Sequence, residues 1–171
     1  MLRPIVLYGA EVLAKPSQPV NEISDAEVQL VKDMVETMYK APGVGLAAPQ
    51  VGVGKRIMVT DPSAGEKRNQ LITIINPEIA ESEGEQLEDE GCLSIPGFSA
   101  VVLRPKKVVL KGIDLNGKEI TVEGKDLLAR AFCHEMDHLN GVFFLDHLSF
   151  LKRDLIKRKI RKLVKQGEWE S

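Results

Sequence analysis

The chain has 171 residues, with 23 lysines and arginines against 25 aspartates and glutamates, and hydrophobic residues make up 43% of it. This composition is typical of an ordinary globular protein, and we expect one domain over residues 1–171. A formal net charge of −2 excludes a general attraction to DNA or to membranes. No stretch approaches the ~20 apolar residues of a membrane span. The start lacks a secretory pattern, so with two cysteines we predict a cytoplasmic protein with free thiols.

A helix followed by a series of strands is predicted for the first three quarters of the chain. Ser24 and Glu27 match a capping box, which predicts a helix with one apolar face that ends near Ala41-Pro42. Short β-like runs follow, and Asn116-Gly117 joins the last two as a hairpin. The runs are Arg56–Thr60, Leu71–Ile75, Ala100–Leu103, Lys107–Ile113 and Glu119–Glu123, with further turns at Asp61-Pro62 and Asn76-Pro77.

Two more helices are predicted towards the C-terminus. One runs from about Lys125 to Leu139 and ends at Asn140-Gly141, and the other covers roughly Ser149–Lys165. Strands flanked by helices without regular alternation indicate an α+β fold with mainly antiparallel pairing. We expect the strands to pack around the helix over 125–139, with one helix before it and one after it.

The run His134-Glu135-Met136-Asp137-His138 lies on this central helix. Two histidines four residues apart share one face of a helix, so both imidazoles can reach one metal ion. Glu135 is placed to take a proton from a water held at that metal. The histidines also continue an apolar stripe, so a core packing role is the alternative interpretation.

A tetrahedral catalytic site needs a third protein ligand, and three routes to it can be compared. The metzincin pattern would place it at position 144, where Phe144 cannot ligate. The acidic residues downstream form no clear thermolysin-like pattern. Upstream, Cys92 would complete a Cys-His-His site with an open fourth position. Cys133 lies on another side of the helix and is interpreted as a packing residue.

Three segments resemble, in order, the signature motifs of the peptide deformylases. Gly43–Gln50 is similar to the family's GxGxAAxQ, Glu90–Ser94 to EGCxS, and His134–Gly141 to HExDHxxG. The three together are highly specific, and the resemblance extends over nearly the whole chain. The first segment also fits a dinucleotide fingerprint, but a predicted helix precedes it and Pro49-Gln50 follows it, which excludes nucleotide binding.

The resemblance implies hydrolysis of the N-formyl group from the initiator methionine of newly made polypeptides, with release of formate. The Cys-His-His set would bind one divalent metal ion, usually ferrous iron in this family, with zinc, nickel or cobalt able to substitute. Glu135 would act as the general base. The Gln50 amide and the backbone N–H of Leu93 would stabilise the growing oxyanion.

The resemblance also implies where the formylmethionyl peptide binds. The methionine side chain would enter an apolar pocket near Val44, Leu127 and Ala131, and backbone around Gly45 would pair with the peptide in β fashion. One position departs from the family pattern: many bacterial members carry arginine where this chain has Ser99.

Three further groups of charged residues have a predicted role outside the metal set. Arg104 is interpreted either as a partner for Asp137 behind the metal ligands or as an exposed arginine. His147 is predicted at the surface or next to the ligands. The acidic run over 81–90 is predicted to be a solvated loop and strand. On the last helix, four basic residues lie opposite an apolar stripe of Leu155, Ile156, Ile160 and Leu163. This basic face is interpreted either as a solvated surface or as a surface that docks to the ribosome. Its residues are Lys157, Arg158, Arg161 and Lys165.

Two other functions stay open at this point. A zinc endopeptidase would share the HExxH spacing, although Phe144 argues against it. A noncatalytic domain could hold the metal for structure alone, but structural sites commonly use four protein ligands and only three are found here.

Overall fold

The computed structural model describes residues 1–169. Four helices are present in this part of the chain: α1 Glu11–Ala14, α2 Asp25–Lys40, α3 Leu127–Leu139 and α4 Phe150–Lys165. The seven strands are β1 Gly45–Ala47, β2 Ile57–Thr60, β3 Ile72–Glu83, β4 Gln86–Cys92, β5 Ile95–Arg104, β6 Lys107–Ile113 and β7 Glu119–Lys125. Two short 3₁₀ turns cover Ala48–Val51 and Phe144–His147.

The strands form two antiparallel sheets. The larger sheet has the order β1-β2-β3-β6-β7, and β4 pairs with β5 in a separate two-stranded sheet. All five strand pairings are antiparallel. The predicted α+β class with antiparallel strands around the central helix is therefore confirmed.

Helices α2 and α3 cover opposite faces of the larger sheet. All four residues of β2 are buried, because each face of this strand meets a helix. Ile57 and Val59 pack in one cluster with Met34 of α2, whereas Met58 packs in another with Phe132 of α3. The alternation of side chains along a strand explains this division.

Close approach of α3 to the sheet depends on a glycine in β7. A Cβ atom added at Gly124 would lie 2.7 Å from Cε2 of Phe132 and 2.8 Å from Cγ of Leu128. Phe132 has no exposed surface. This packing fixes the height and rotation of the helix that carries the two histidines.

Several predicted elements are confirmed with small shifts at their ends. Ser24 caps α2, and Glu27 completes the capping box by accepting from the Ser24 backbone N–H at 3.0 Å. The hairpin of β6 and β7 turns at Gly117, where φ is +79°. Helix α3 starts at Leu127 rather than near Lys125, because Lys125 is still paired with Lys107 in the β-ladder.

The prediction of a turn at Asn76-Pro77 is wrong. Strand β3 continues through this dipeptide with a bulge in its pairing to β6. Asn76 has φ of +52°, and its side-chain amide bonds both the N–H and the carbonyl of Val20 at 2.8 Å. Proline is tolerated there because a bulge interrupts the ladder and requires no donor.

Three further expectations need correction. Strands β3 and β5 are much longer than the predicted runs, and β4 was not predicted as a strand reaching Cys92. The short helix α1 and strand β1 were also missed. On α4 only part of the predicted apolar stripe is covered, since Ile156 and Ile160 are buried while Leu155 is 55% exposed. Within residues 1–169, no helix is long and apolar enough to cross a bilayer.

Candidate metal centre and active-site pocket

Cys92, His134 and His138 meet at the junction of β4 and α3. The Cys92 sulfur lies 3.2 Å from Nε2 of His138, and the Nε2 atoms of the two histidines lie 3.2 Å apart. All three ligand atoms fall within 4.8 Å of one another. The histidines converge because residues four apart stack on one face of α3, and Cys92 arrives as the last residue of β4.

These residues fit a metal ion. Bonds of about 2.0–2.3 Å at a tetrahedral centre separate neighbouring ligand atoms by about 3.3–3.6 Å, close to the observed spacing. Burial and the neighbouring His134 lower the pKa of His138, which favours the neutral imidazole that binds metals. Cys133 is buried in the packing cluster of α3, and burial raises the pKa of its thiol to about 11. Its predicted packing role is confirmed.

Glu90 orients the first histidine. Its Oε2 lies 2.7 Å from Nδ1 of His134, so a proton on Nδ1 leaves Nε2 free as a ligand. Both Arg104 and Arg130 also donate to this carboxylate, which is only 4% exposed. Burial alone would raise the pKa of Glu90, but the hydrogen bonds from His134 and Arg104 hold it well below its usual range. The prediction that the whole acidic run is solvated is therefore wrong at Glu90.

Arg104 links Glu90 to a second carboxylate. Its NH1 donates to Oδ2 of Asp137 at 2.7 Å, as predicted, and the Arg104 side chain is 4% exposed. Nε2 of His147 lies 2.8 Å from the same oxygen, and this histidine is 39% exposed. His147 thus lies at the surface and also contacts the network behind the ligands.

Glu135 points its carboxylate towards strand β1. A Cβ atom added at Gly45 would lie 2.5 Å from Oε2 of Glu135, so glycine makes room for this carboxylate. Oε1 is buried and has no hydrogen-bond partner among residues 1–169, which leaves it available to a water proton. Burial raises the pKa of Glu135 to about 7, a value suited to exchanging protons near neutral pH.

Gln50 and Leu93 lie on the same side of the ligand set. The Gln50 side chain is buried, with Oε1 accepting from the Ala47 backbone N–H at 3.0 Å. Its Nε2 donates to Oγ of Ser94 at 3.2 Å and lies 3.8 Å from the Cys92 sulfur. Leu93 follows Cys92 in the two-residue turn that joins β4 to β5.

An apolar cavity of about 470 Å³ opens onto these groups. Val44, Gly45, Leu127 and Ala131 line it, as the sequence predicts, together with Gln50, Leu93, His134 and Glu135. Leu127 is 47% exposed, which places it where the cavity meets solvent rather than inside the core.

The sequence reasoning gave no role to Arg130 and Phe98, which line the cavity, or to the buried Ser94, whose hydroxyl accepts a hydrogen bond from Gln50. Arg130 precedes His134 by four positions and therefore shares its helical face, and Glu90 shares a strand face with Cys92. These spacings could have indicated that Arg130 and Glu90 lie beside the metal ligands. Ser94 is the last position of the EGCxS motif, which was a further signal, whereas no such signal marks Phe98.

The sequence and the fold of this chain are similar to those of peptide deformylases. The family model for polypeptide deformylase matches residues 2–154. The peptide deformylase of Acidobacterium capsulatum is 49% identical over 169 residues, covering 99% of each chain, and that of Thermodesulfovibrio yellowstonii is 51% identical over 154 residues, covering 90% of this chain and 93% of the relative. The crystal structure of a peptide deformylase from Legionella pneumophila superposes with a TM-score of 0.90 at 42% identity over 100% of both chains. The chain therefore belongs to the polypeptide deformylase family.

Proposed function

We propose a division of roles by which this chain removes the N-formyl group from the start of new polypeptides, the hydrolysis that its family performs. The observation that carries the proposal is the Cys-His-His set with Glu135 beside it, at the end of an apolar cavity. Members of this family depend on a metal, and the three convergent ligand atoms fit one ion. We further propose that residues 1–171 act as one metallohydrolase domain.

The metal, bound by Cys92, His134 and His138, would supply Lewis acidity towards a water and towards the formyl oxygen. Glu135 accepts the proton of the attacking water through its unpartnered Oε1, and later delivers it to the leaving amine. The Gln50 amide and the Leu93 backbone N–H donate to the oxygen that gains charge.

The peptide would bind along β1. This strand is at the edge of the larger sheet and also lines the cavity, so an extended peptide can add to its outer side. The methionine side chain then fills the apolar part of the cavity between Val44, Leu127 and Ala131. We propose the cytoplasm as the location, since new chains that begin with formylmethionine are made there.

Activity on a formylated and an unformylated peptide tests this function. The chain should release formate from formyl-Met-Ala-Ser and leave Met-Ala-Ser intact, whereas an endopeptidase would cut both and a structural metal domain neither. Cys92→Ser should weaken metal binding and formate release strongly. Cys133→Ser is the matched control, with only a packing cost. Equal metal loss in both variants would overturn the ligand assignment.

We propose ferrous iron as the resident metal, with zinc, nickel or cobalt able to substitute. An open thiolate site that admits water also admits dioxygen, so iron and then the thiolate of Cys92 are open to oxidation. Protein loaded with ferrous iron should lose formate release in air within hours and keep it without oxygen, while the nickel form survives both. Equal decay of the two forms in air would count against an oxidisable site of this kind.

The basic face of α4 is proposed to dock to the ribosome. Arg158, Arg161 and Lys165 are exposed, and Ile156 and Ile160 hold the opposite side of the helix against the core. Reversal of the four basic residues to glutamate should abolish salt-sensitive co-sedimentation with ribosomes and leave hydrolysis of a short formyl-peptide unchanged. Unchanged co-sedimentation at low salt would refute this docking.

A further inference from the structure

The last described residue, Trp169, packs behind Phe98, which forms part of the wall of the active-site cavity. Nε1 of Trp169 donates to the carbonyl of Tyr8 at 2.8 Å, and the Trp169 ring lies 6.3 Å from the ring of Phe98, centre to centre, with the planes inclined by 59°. Phe98 in turn lines the active-site cavity. A residue more than seventy positions away in sequence therefore contacts a wall of the site.

The part of the wall that contains Phe98 has little support of its own. In the pairing of β4 with β5, Gly91 faces Ser99 and Cys92 faces Ile95, so the segment 96–98 has no partner in the register. Pro96 and Gly97 line the cavity and are exposed, which places this segment at its rim. Gly97 has φ of +85°, in the region that glycine enters freely. The paired residues Ile95 and Ser99 hold the two ends of this segment, and side-chain contacts such as that of Phe98 add support between them.

Trp169 contacts Phe98 and is itself held in place through its hydrogen bond to Tyr8. The Tyr8 backbone N–H donates to the carbonyl of Ser94 at 2.8 Å, and the Tyr8 ring packs edge-on against Phe143 at 4.8 Å between centres. Ser94 is the residue whose hydroxyl accepts from the Gln50 amide. Through Tyr8, the indole is thus linked to the turn that contains Leu93, one of the two proposed oxyanion donors, while its ring packs against Phe98 at the rim.

We propose that Trp169 is a positioning residue, which holds Phe98 and the rim segment 96–98 in the place where they contact the formylated peptide. The proposal rests on the proposed function, because it assigns the rim to the same substrate. Without the indole, the rim would populate other conformations, and only the competent fraction would bind peptide. The metal ligands and Glu135 belong to other elements and would keep their places.

Steady-state kinetics on metal-loaded protein test the proposal. Trp169→Ala should raise KM for formyl-Met-Ala-Ser about three- to tenfold, the range expected for loss of an aromatic pair. The kcat should stay within about twofold, since the groups that exchange protons do not move. Trp169→Phe keeps a ring against Phe98 and should recover most of the wild-type KM. Glu168→Ala, an exposed neighbour, is the matched control and should behave as wild type.

A double-mutant cycle and a spectroscopic readout separate positioning from a general effect on folding. Trp169→Ala and Phe98→Leu should be non-additive in KM, because each removes the same contact. Trp169 is the single tryptophan of the chain, so its emission in wild type should change when the product Met-Ala-Ser saturates the site, and should change less in Phe98→Leu.

The possible results distinguish this proposal from the function on which it rests. Three results would each overturn the positioning role while formate release by the wild type stands. They are a wild-type KM in Trp169→Ala, additive effects in the double-mutant cycle, and a tryptophan emission that does not change when peptide saturates the site. Failure of wild-type, metal-loaded protein to release formate would instead overturn the proposed function.

Discussion

Replacement of Glu90 by glutamine tests the network behind the metal ligands. The carboxylate accepts from Arg104 at 3.0 and 2.6 Å, from Arg130 at 2.8 Å and contacts His134 at 2.7 Å. Glutamine has nearly the same shape, but it carries no charge and replaces one acceptor oxygen with a donor NH₂ group. The substitution therefore changes electrostatics and hydrogen bonding with little change in volume.

We expect Glu90→Gln to lower the free energy of unfolding strongly, because the arginines that bind this carboxylate stay buried. The side chains of Arg104 and Arg130 are 4% and 6% exposed, so neither can recover its hydration by a small movement. Arg104 keeps its ion pair with Asp137, whereas within residues 1–169 Arg130 keeps only a hydrogen bond to the backbone carbonyl of Val102. Removing one member of a buried charged pair costs about 3–5 kcal/mol of unfolding free energy. Loss of the partner of a histidine ligand weakens metal binding about 10–100-fold.

Two measurements on Glu90→Gln check these numbers. Urea unfolding of metal-free protein gives the change in stability, and competition with a chelator gives the change in metal affinity. Glu88→Gln is the matched control, because Glu88 is exposed on the same strand, and it should stay within about 0.5 kcal/mol of wild type. A Glu90→Gln protein that loses less than about 1 kcal/mol and binds metal normally would refute the role assigned to the network.

Three other substitutions have definite expected outcomes. Glu135→Gln should keep the metal and lose about 10²–10⁴-fold in kcat, because an amide cannot accept the water proton; full metal content with wild-type turnover would refute this. Gly45→Ala should lower kcat about 10²-fold at unchanged metal content, since its Cβ displaces the Glu135 carboxylate by about 1 Å. Hydrogen bonds from Ser24 and then Lys55 lower the pKa of Glu27 to about 2, so its stabilising effect is complete above its unfolded pKa of about 4 and is lost as the pH falls towards 2. Urea midpoints of Glu27→Gln and wild type should therefore differ at pH 7 and converge near pH 2, and a constant difference would refute this.

The parts of the site that sequence could predict are those set by local spacing. His134, Glu135 and His138 have fixed relative positions as soon as the segment is helical, and the capping box over Ser24–Glu27 is equally local. The three motifs then placed Cys92 and Gln50 next to the histidines, and the structure brings these atoms together. Each of these inferences used only neighbours in sequence or a resemblance over whole motifs.

The parts that were missed depend on contacts between distant segments. Glu90 lies in a run of acidic residues, and its burial follows only when β4 is placed against α3, where Arg130 and Arg104 neutralise it. The bulge at Asn76 likewise depends on the backbone of Val20, fifty-six positions earlier. Charge runs and Asn-Pro pairs most often lie at surfaces and in turns, so the local pattern favoured the wrong outcome in both cases.

The charges buried around α3 explain why this helix can carry so many ionisable groups. Behind the ligands, Arg104 and Arg130 face Glu90 and Asp137, so two positive and two negative side chains balance. Among residues 1–169, Glu135 has no such charged partner, and burial raises its pKa to about 7. A divalent cation beside the Cys92 thiolate and the Glu135 carboxylate would balance their two negative charges, as the two arginines balance two carboxylates behind them. The same buried helix thus provides a neutral support for the ligands and, on its cavity side, a carboxylate poised to gain or lose a proton.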